Sequence, residues 1–517
     1  MHFLQDLLDQ TLAEAQCVLR WHSLFQVWGK ATDQAERKRL VQQLAALAIG
    51  DPRADALRLT FLSQATGDAR FVKAAALQTL AVQPFNPDRL AAFAAFFSLR
   101  ALETQPGREA FATALNVACL PEMVNRLALE VAAMLPATLV PRVPGTIQKV
   151  AVVSSHLGNI YHTPGRLAAN QCRLLARAGR RVELFSCQEQ LLPKMELFHG
   201  GGGTVRLPTP EGTDWQRLLP AGVRMSVSNH RFSLRSRWRA TLDGMAEFDP
   251  DVVLFIGLYS PLAAALYKVR PVVGLCTNSV PPLGPVDVWL ASDEAAIGRE
   301  HKVWDGQFPV PLAHIHPYRI STVGGPFALT RADLGLPDDA LVCVTAGFRL
   351  EQEVGGPWAT RMAGALAQHA GAVWLLVGGS GQVPKALQQL PPGKVLALAT
   401  RPDVSAVLNL CDIYVNPPRM GGGFSVAEAM AANLPVLAFA GSDGGDKVGA
   451  WALAGVEAYM ERLAALLTDP ALRTQMGQAL HERFIARFDI DASTPSLLSA
   501  CALAATHAAD RLSAGSS

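Results

Sequence analysis

The chain has 517 residues, of which half are hydrophobic and 17% are charged, and its formal net charge is +2. This length exceeds what one hydrophobic core usually serves, so we expect several domains. The composition indicates a globular chain, and the nearly neutral charge does not suggest a nucleic-acid-binding protein.

The first residues give no sign of export or of a membrane anchor. Residues 1–6 lack the basic region and cleavage site of a signal peptide. The longest uncharged apolar stretch, residues 252–267, is shorter than the about 20 residues that a spanning helix needs. The eight cysteines include no Cys-x-x-Cys pair, which is typical of reduced, mostly buried thiols. We therefore expect a soluble, cytoplasmic protein without a transmembrane segment.

Residues 1–140 are predicted to form an all-α domain. The leucines of residues 4–12 recur with helical spacing, and Asp33 with Glu36 makes a capping box before the next apolar run. The proline-rich segment 135–145 is the clearest linker in the chain. This pattern predicts a helical domain that folds independently of the rest.

At Lys149 the pattern changes to alternating strands and helices. A helix is predicted at 166–178, between the first two strands. The predicted strands are 149–155, 181–186, 251–256, 271–275, 286–291, 341–346, 373–377, 394–398, 412–415 and 435–439. Two successive runs of this kind indicate two doubly wound domains that face each other, joined near residues 322–326.

Residues 412–439 contain the most informative pattern, a strand, a glycine turn, a helix and a strand. The glycines lack a Cβ, so a ligand can approach their amides closely. The N-terminus of the following helix favours an anion, typically phosphate. Glu428 lies one turn inside that helix, close enough to accept hydrogen bonds from a sugar hydroxyl. The candidate ligand-binding residues are Gly421, Gly422, Gly423, Phe424, Ser425 and Glu428.

This segment resembles the donor-binding core of GT-B glycosyltransferases of family 4, the glycosyl transferases group 1. In that family a glycine-rich turn precedes a Glu-Ala-Met-Ala helix and a Pro-Val strand, matched here at 428–431 and 435–437. The resemblance is good over about 320–490 and is only a pattern over 149–320. It implies an α/β fold of the GT-B type, with two Rossmann-like domains preceded by the all-α domain.

The pattern of elements divides the chain into four parts, and the resemblance, which does not cover the first 140 residues, supports the division. The all-α domain is followed by an acceptor-side domain at 149–320 and a nucleotide-sugar-binding domain at 321–490. A C-terminal helix and tail occupy 491–517. The implied reaction moves a hexose-type sugar from a nucleotide-diphosphate donor, with UDP favoured, to an acceptor protein or glycan. No cofactor is implied, and no His, Cys, Asp or Glu spacing suggests a metal site.

An N-terminal helical domain on a GT-B core also resembles bacterial protein glycosyltransferases, and the similarity extends weakly to family 41. This resemblance favours a protein acceptor over a lipid. Two departures from family 4 keep alternatives open. Val354 stands where a second phosphate-binding lysine is usual, and Met420 stands where retaining enzymes place a sugar-contacting glutamate. A non-catalytic partner subunit would fit both departures. A nucleotide-sugar 2-epimerase would need cleft carboxylates, of which the sequence shows few.

Further donor-side candidates follow two strands of the second run. Arg349 would face the glycine turn in a GT-B fold and bind two phosphate oxygens, the alternative being a surface arginine. The loop after the last strand would line the ligand crevice, although a plain turn is an equal alternative. Its candidate donor contacts are Asp443, Gly444, Gly445 and Lys447.

The acceptor side is predicted from the first run. His156 follows the first strand and is the candidate general base, while Gly158 would let the same loop approach the diphosphate. His162 and His230 are candidate acceptor-binding residues. A basic helical face with Trp238 beside it could meet an anionic acceptor or a membrane surface, the alternative being a solvated face. Its arginines are Arg231, Arg235 and Arg239.

Overall fold

The computed structural model of the chain describes residues 2–105, 108–158, 163–192, 215, 219–276, 280–291, 304, 306–317, 328–401, 403–421 and 423–514. The predictions on His162, on Gly422 and on the domain join at 322–326 lie outside the described residues.

The N-terminal part is helical, as predicted. Its helices are α1 (His2–Ala13), α2 (Val18–Lys30), α3 (Gln34–Ala46), α4 (Pro52–Thr66), α5 (Ala69–Ala81), α6 (Pro87–Thr104), α7 (Arg108–Val117) and α8 (Leu120–Ala132). The carboxylate of Asp33 accepts hydrogen bonds from the N–H groups of Ala35 and Glu36, which confirms the predicted cap of α3.

The first αβ part contains a seven-stranded parallel sheet in the order β3-β2-β1-β4-β5-β6-β7. Its strands are β1 (Lys149–Ser154), β2 (Arg181–Ser186), β3 (Arg224–Val227), β4 (Val252–Ile256), β5 (Val272–Leu275), β6 (Val288–Ala291) and β7 (Leu312–Ile315). Its described helices are α9 (Thr163–Arg177), α10 (Leu234–Phe248) and α11 (Pro261–Leu266). The sequence did not predict β3 and β7, because these edge strands are only partly buried and lack a continuous apolar run.

The second αβ part contains a five-stranded parallel sheet in the order β10-β9-β8-β11-β12. Its strands are β8 (Leu341–Ala346), β9 (Ala372–Val377), β10 (Val395–Leu398), β11 (Ile413–Val415) and β12 (Val436–Leu437). Its described helices are α12 (Leu350–Glu353), α13 (Gly356–Gln368), α14 (Val404–Leu408), α15 (Phe424–Ala431), α16 (Gly445–Val448), α17 (Val456–Thr468) and α18 (Pro470–Arg487).

The C-terminal helices α19 (Thr494–His507) and α20 (Ala509–Ala514) return to the first sheet. Leu497 and Cys501 of α19 lie in one hydrophobic cluster with Leu254 of β4 and Val273 of β5. The chain therefore crosses from the second αβ part back to the first. None of the helices in the described part of the chain is long and apolar enough to cross a membrane.

The helical part shares its core with the first sheet. One hydrophobic cluster includes Phe93 of α6, Leu127 of α8, Val153 of β1 and Phe255 of β4, and α8 packs against α11. The buried apolar face of the helical part is therefore completed by the sheet, and independent folding of this part stays a prediction. The predicted fold class is confirmed: two doubly wound parallel sheets follow an all-α part.

Candidate donor-binding site

The predicted glycine turn lies between β11 and α15, at the carboxyl edge of the second sheet. Gly423 has φ +62°, and a Cβ there would lie 2.4 Å from the carbonyl oxygen of Asp443. A Cβ at Gly421 would lie 2.9 Å from Oδ2 of the same residue. The glycines are therefore required where the turn packs against the loop that follows β12.

Helix α15 begins at Phe424, directly after this turn. The first N–H groups of a helix have no acceptor within the helix, and its dipole favours negative charge. In parallel sheets, ligands bind beyond the carboxyl ends of the strands. The N-terminus of α15 thus lies where an anionic ligand is expected, and Ser425 is in its first turn.

Arg419 is buried beside the glycine turn and holds it through hydrogen bonds. Its side chain is 6% exposed, and Nη1 donates to Oε2 of Glu353 at 2.9 Å. Nη2 donates to Oγ of Ser425 at 2.9 Å and to the carbonyl oxygen of Ala346 at 3.0 Å. Arg419 therefore ties the glycine turn both to the first turn of α15 and to the end of β8. The sequence pattern gave this arginine no role.

Arg349 lies beside the glycine turn, where the sequence placed it, and it already has protein partners. Its Nε donates to Oε1 of Glu353 at 2.8 Å, and its Nη2 donates to the carbonyl oxygen of Met420 at 2.7 Å. Burial alone would raise the pKa of Glu353, but the charges of Arg349 and Arg419 outweigh it and hold that pKa below its usual value. Glu353 thus neutralises part of the positive charge beneath the turn.

The loop after β12 contacts the turn through Asp443. Its Oδ1 accepts a hydrogen bond from Nδ2 of Asn416 at 3.0 Å, and its Oδ2 lies 3.6 Å from Nε of Arg419. Gly444 and Gly445 lead into the short helix α16, and a Cβ at Gly445 would lie 2.3 Å from the carbonyl oxygen of Phe439. The loop is therefore a packed part of the site.

Lys447 lies in α16, next to the same loop. It is buried, and its Nζ is 5.9 Å from the centre of the Phe488 ring. The structure therefore brings the loop candidates together with the glycine turn.

Glu428 meets a residue from the other αβ part. Its Oε1 accepts a hydrogen bond from Nη1 of Arg166 at 3.0 Å. Arg166 belongs to α9, which packs on the first sheet. Phe424 packs against the hydrophobic clusters of both sheets. The two αβ parts therefore touch at α15, and the predicted ribose-binding carboxylate lies at that contact.

The acceptor-side candidates are not all brought together. His156 and Gly158 are buried directly after β1, and Oγ of Ser154 donates to the carbonyl oxygen of His156 at 2.9 Å. His230 lies between β3 and α10. Because β2 separates β3 from β1, the two strands are about 10 Å apart. His230 therefore lies at a different part of the carboxyl edge of the first sheet from His156 and Gly158.

The predicted basic face is not formed as expected. Helix α10 begins at Leu234, so Arg231 precedes it. Trp238 is buried, with its Nε1 donating to Oε1 of Glu189 at 2.9 Å. Arg235 pairs with Glu130 of α8. The prediction that Arg231, Arg235 and Arg239 share one helical face is contradicted, because Arg231 precedes the helix. All three arginines are exposed, which agrees with the alternative of a solvated surface.

A cavity of about 1050 Å³ separates the helical part from the second αβ part. It is lined on one side by helices α4 to α7, with Phe97 and Arg100 among the lining residues. On the other side lie Pro418, Phe439 and Ser442, from the loops after β11 and β12. The cavity thus adjoins the glycine turn. Sequence patterns gave no sign of it, because its two walls come from distant segments.

Residues 340–469 match the family model for glycosyl transferases group 1. Over these residues the chain is similar to the glycosyl transferases group 1. This match covers the second sheet, the glycine turn and α15, and it confirms the predicted family resemblance there. The comparison with curated protein sequences gives no match.

The fold is similar to that of a solved glycosyltransferase. A mutant of the Thermobaculum terrenum O-GlcNAc transferase is similar over 99% of this chain and 98% of its own, with a TM-score of 0.56 and 14% identity. A glycosyltransferase from Rickettsia africae covers 69% of this chain and 98% of its own, with a TM-score of 0.47 and 11% identity. The first similarity includes the helical part, and with the two parallel sheets it confirms the predicted GT-B fold.

Proposed function

We propose that this protein transfers a hexose-type sugar from a nucleotide-diphosphate donor, without a metal ion, to an acceptor that is a protein or a glycan. The observation that carries the proposal is the glycine turn at the N-terminus of α15, within the group 1 domain. UDP is the favoured nucleotide. The eight cysteines are all free thiols, which supports action in a reducing cytoplasm.

The donor diphosphate would lie against the first amides of α15 and the backbone of Gly421 and Gly423. Arg349, at the edge of the turn, would contribute a guanidinium. Glu428 would accept hydrogen bonds from the ribose hydroxyls. Preorganised amides and charges of this kind stabilise negative charge on a leaving diphosphate without reorganisation, often the largest contribution to catalysis.

The transferred sugar would lie towards the loop after β12. That loop packs on the turn, so Asp443, the amides of Gly444 and Gly445, and Lys447 are the nearest donor-side groups. Transfer also needs a base for the acceptor hydroxyl. His156 would take that proton, because it follows β1 at the edge of the sheet where ligands bind. Burial of its ring would shield the proton transfer from bulk water.

The acceptor would enter through the cavity between the helical part and the second αβ part. Its volume of about 1050 Å³ is slightly above the range of about 300–1,000 Å³ that is typical of ligand sites. Phe97 and Pro418 offer apolar contact, and Arg100 and Ser442 offer polar contact. A segment of polypeptide or a short glycan would fit this mixed lining.

A non-catalytic partner subunit is the second candidate. Val354 and Met420 are both buried, so neither offers the polar contact that active family members have at these positions. Glu353 also engages both arginines beneath the turn. Such a subunit would keep the fold and lack the chemistry.

Incubation with a panel of nucleotide sugars in the presence of a chelator separates the candidates. Release of nucleoside diphosphate, with or without added acceptor, supports the transferase. Change of the sugar while it stays on the nucleotide indicates a 2-epimerase. Binding without turnover indicates the partner subunit. Dependence of turnover on added divalent metal would contradict the metal-independent reaction.

A further inference from the structure

The contact between Glu428 and Arg166 joins the proposed ribose site to the other αβ part of the molecule. We propose that Arg166 is a donor-binding residue. When a nucleoside diphosphate binds, the ion pair between Arg166 and Glu428 opens, and the guanidinium of Arg166 binds the diphosphate. This inference rests on the proposed function, because it assumes that the donor binds at α15.

The position of the ion pair suits this exchange. Glu428 is the fifth residue of α15, so its Cα lies about 6 Å along the axis from that of Phe424. Side chains on a helix lean towards its N-terminus. The carboxylate of Glu428, and with it the guanidinium of Arg166 at 3.0 Å, therefore lies over the first turn, close to the amides that would hold a phosphate.

The three arginines around the turn differ in how firmly they are held. Arg419 is 6% exposed and donates to Glu353, Ser425, Tyr414 and Ala346. Arg349 is 14% exposed and donates to Glu353 and Met420. Arg166 is 41% exposed, and Glu428 is its contact among the described residues. Arg166 is therefore the arginine that can change partner with the least disturbance of the fold.

A nucleoside diphosphate offers a new partner to both members of the pair. Its ribose hydroxyls can donate to the carboxylate of Glu428. Its phosphate oxygens can accept two hydrogen bonds from the planar guanidinium of Arg166. Each group loses one partner and gains another, so neither side chain is left without a hydrogen-bond partner. A nucleoside without phosphates would compete for Glu428 and give Arg166 nothing in return.

The test compares the affinities of UDP and uridine by calorimetry for the full-length protein and three variants. These are Arg166→Ala, Arg166→Lys and the control Arg177→Ala, which changes an exposed arginine in the last turn of the same helix. We expect Arg166→Ala to weaken UDP binding at least tenfold. Uridine binding should stay unchanged or strengthen, because Glu428 is released. Arg166→Lys should lie between, and Arg177→Ala should resemble the wild type.

Other results would overturn the inference. If the affinity of Arg166→Ala for UDP equalled or exceeded that of the wild type, Arg166 would serve only to hold the two αβ parts together. Equal weakening of UDP and uridine, with a lower melting temperature, would show a structural role. If the wild type bound no nucleoside diphosphate, the proposed function would fail together with the inference. If the wild type bound UDP and Arg166→Ala bound it equally well, the inference would fail while the proposed function would stand.

Discussion

Oε2 of Glu353 accepts a hydrogen bond from Nη1 of Arg419 at 2.9 Å, and both side chains are buried beneath the glycine turn. Arg349 donates to the other carboxylate oxygen. A buried ion pair stabilises little in net terms, but removal of one partner leaves the other charge uncompensated. The geometry of the proposed donor site therefore depends on an internal carboxylate that would not itself touch the donor.

Glu353→Gln should lower the free energy of unfolding by about 3–5 kcal/mol, the usual range when one partner of a buried pair is removed. Denaturant unfolding measures this change. Glu457→Gln is the matched control, because Glu457 pairs with Arg361 at the surface, and its unfolding midpoint should not shift measurably. An equal effect of both substitutions would show that the buried pair is no more important than an exposed one.

The same carboxylate predicts a dependence of stability on pH. The pKa of Glu353 is lowered in the folded protein, relative to about 4.3 in an unfolded chain. Its stabilising contribution is therefore complete above that value and is lost as the pH falls through the lower folded pKa. Between about pH 5 and pH 2, the free energy of unfolding should fall more steeply with decreasing pH for the wild type than for Glu353→Gln. Parallel curves would contradict the assignment.

Gly423→Ala should disrupt the turn more than a glycine with the same backbone conformation elsewhere in the domain. Gly423 has φ +62° and Gly335 has φ +68°, but a Cβ at Gly335 would meet nothing within 4 Å. Both substitutions cost about 1–2 kcal/mol for the left-handed backbone. Only Gly423→Ala adds the clash with Asp443. It should also abolish nucleotide binding, while Gly335→Ala binds normally. Equal nucleotide affinity of the two variants would contradict the site.

Arg511→Ala should destabilise the attachment of the C-terminal helices. Arg511 donates to both carboxylate oxygens of the buried Asp287, at 2.8 and 2.7 Å. Loss of the arginine should cost about 3–5 kcal/mol at pH 7. Burial raises the pKa of Asp287 and Arg511 opposes this, so the variant should raise that pKa further. The loss should therefore become smaller as the pH falls, because Asp287 takes up a proton more readily in the variant than in the wild type. A loss that does not depend on pH would contradict the pairing.

His156→Ala should lower turnover by about 10²–10⁴-fold, the usual contribution of a general base, with nucleotide affinity nearly unchanged. The residue lies after β1, whereas most of the proposed donor contacts lie at the second sheet. Calorimetry with UDP and a steady-state assay on the active donor separate the two effects. Turnover within about threefold of the wild type would remove His156 from the mechanism.

Removal of residues 1–145 should leave a fragment that does not fold to a stable state. The hydrophobic cluster that contains Leu127 continues to Val153 and Phe255 of the first sheet, so the deletion would expose that face. We expect a fragment of residues 146–517 to bind a hydrophobic dye and to show no cooperative melting transition. A monomeric fragment with the melting temperature of the full chain would show that the shared core is dispensable.

The sequence by itself determined the features that depend on neighbouring residues. Buried parallel strands appear as short apolar runs, so every predicted strand is present with its ends shifted by at most a few residues. The order strand, glycine turn, helix was predicted correctly around Gly423, because each step follows from local backbone preferences. The edge strands β3 and β7 were missed, since partial burial removes the apolar run.

Only the tertiary structure decided which side chains meet. Arg166 and Glu428 are 262 residues apart in the chain and belong to different αβ parts, so no spacing predicts their contact. The sequence pattern gave Glu353 no role, whereas the structure pairs it with both Arg349 and Arg419. The sequence also did not predict the core that the helical part shares with the first sheet, because its residues come from distant segments. Packing between distant segments depends on the relative placement of whole elements, which local periodicity does not encode.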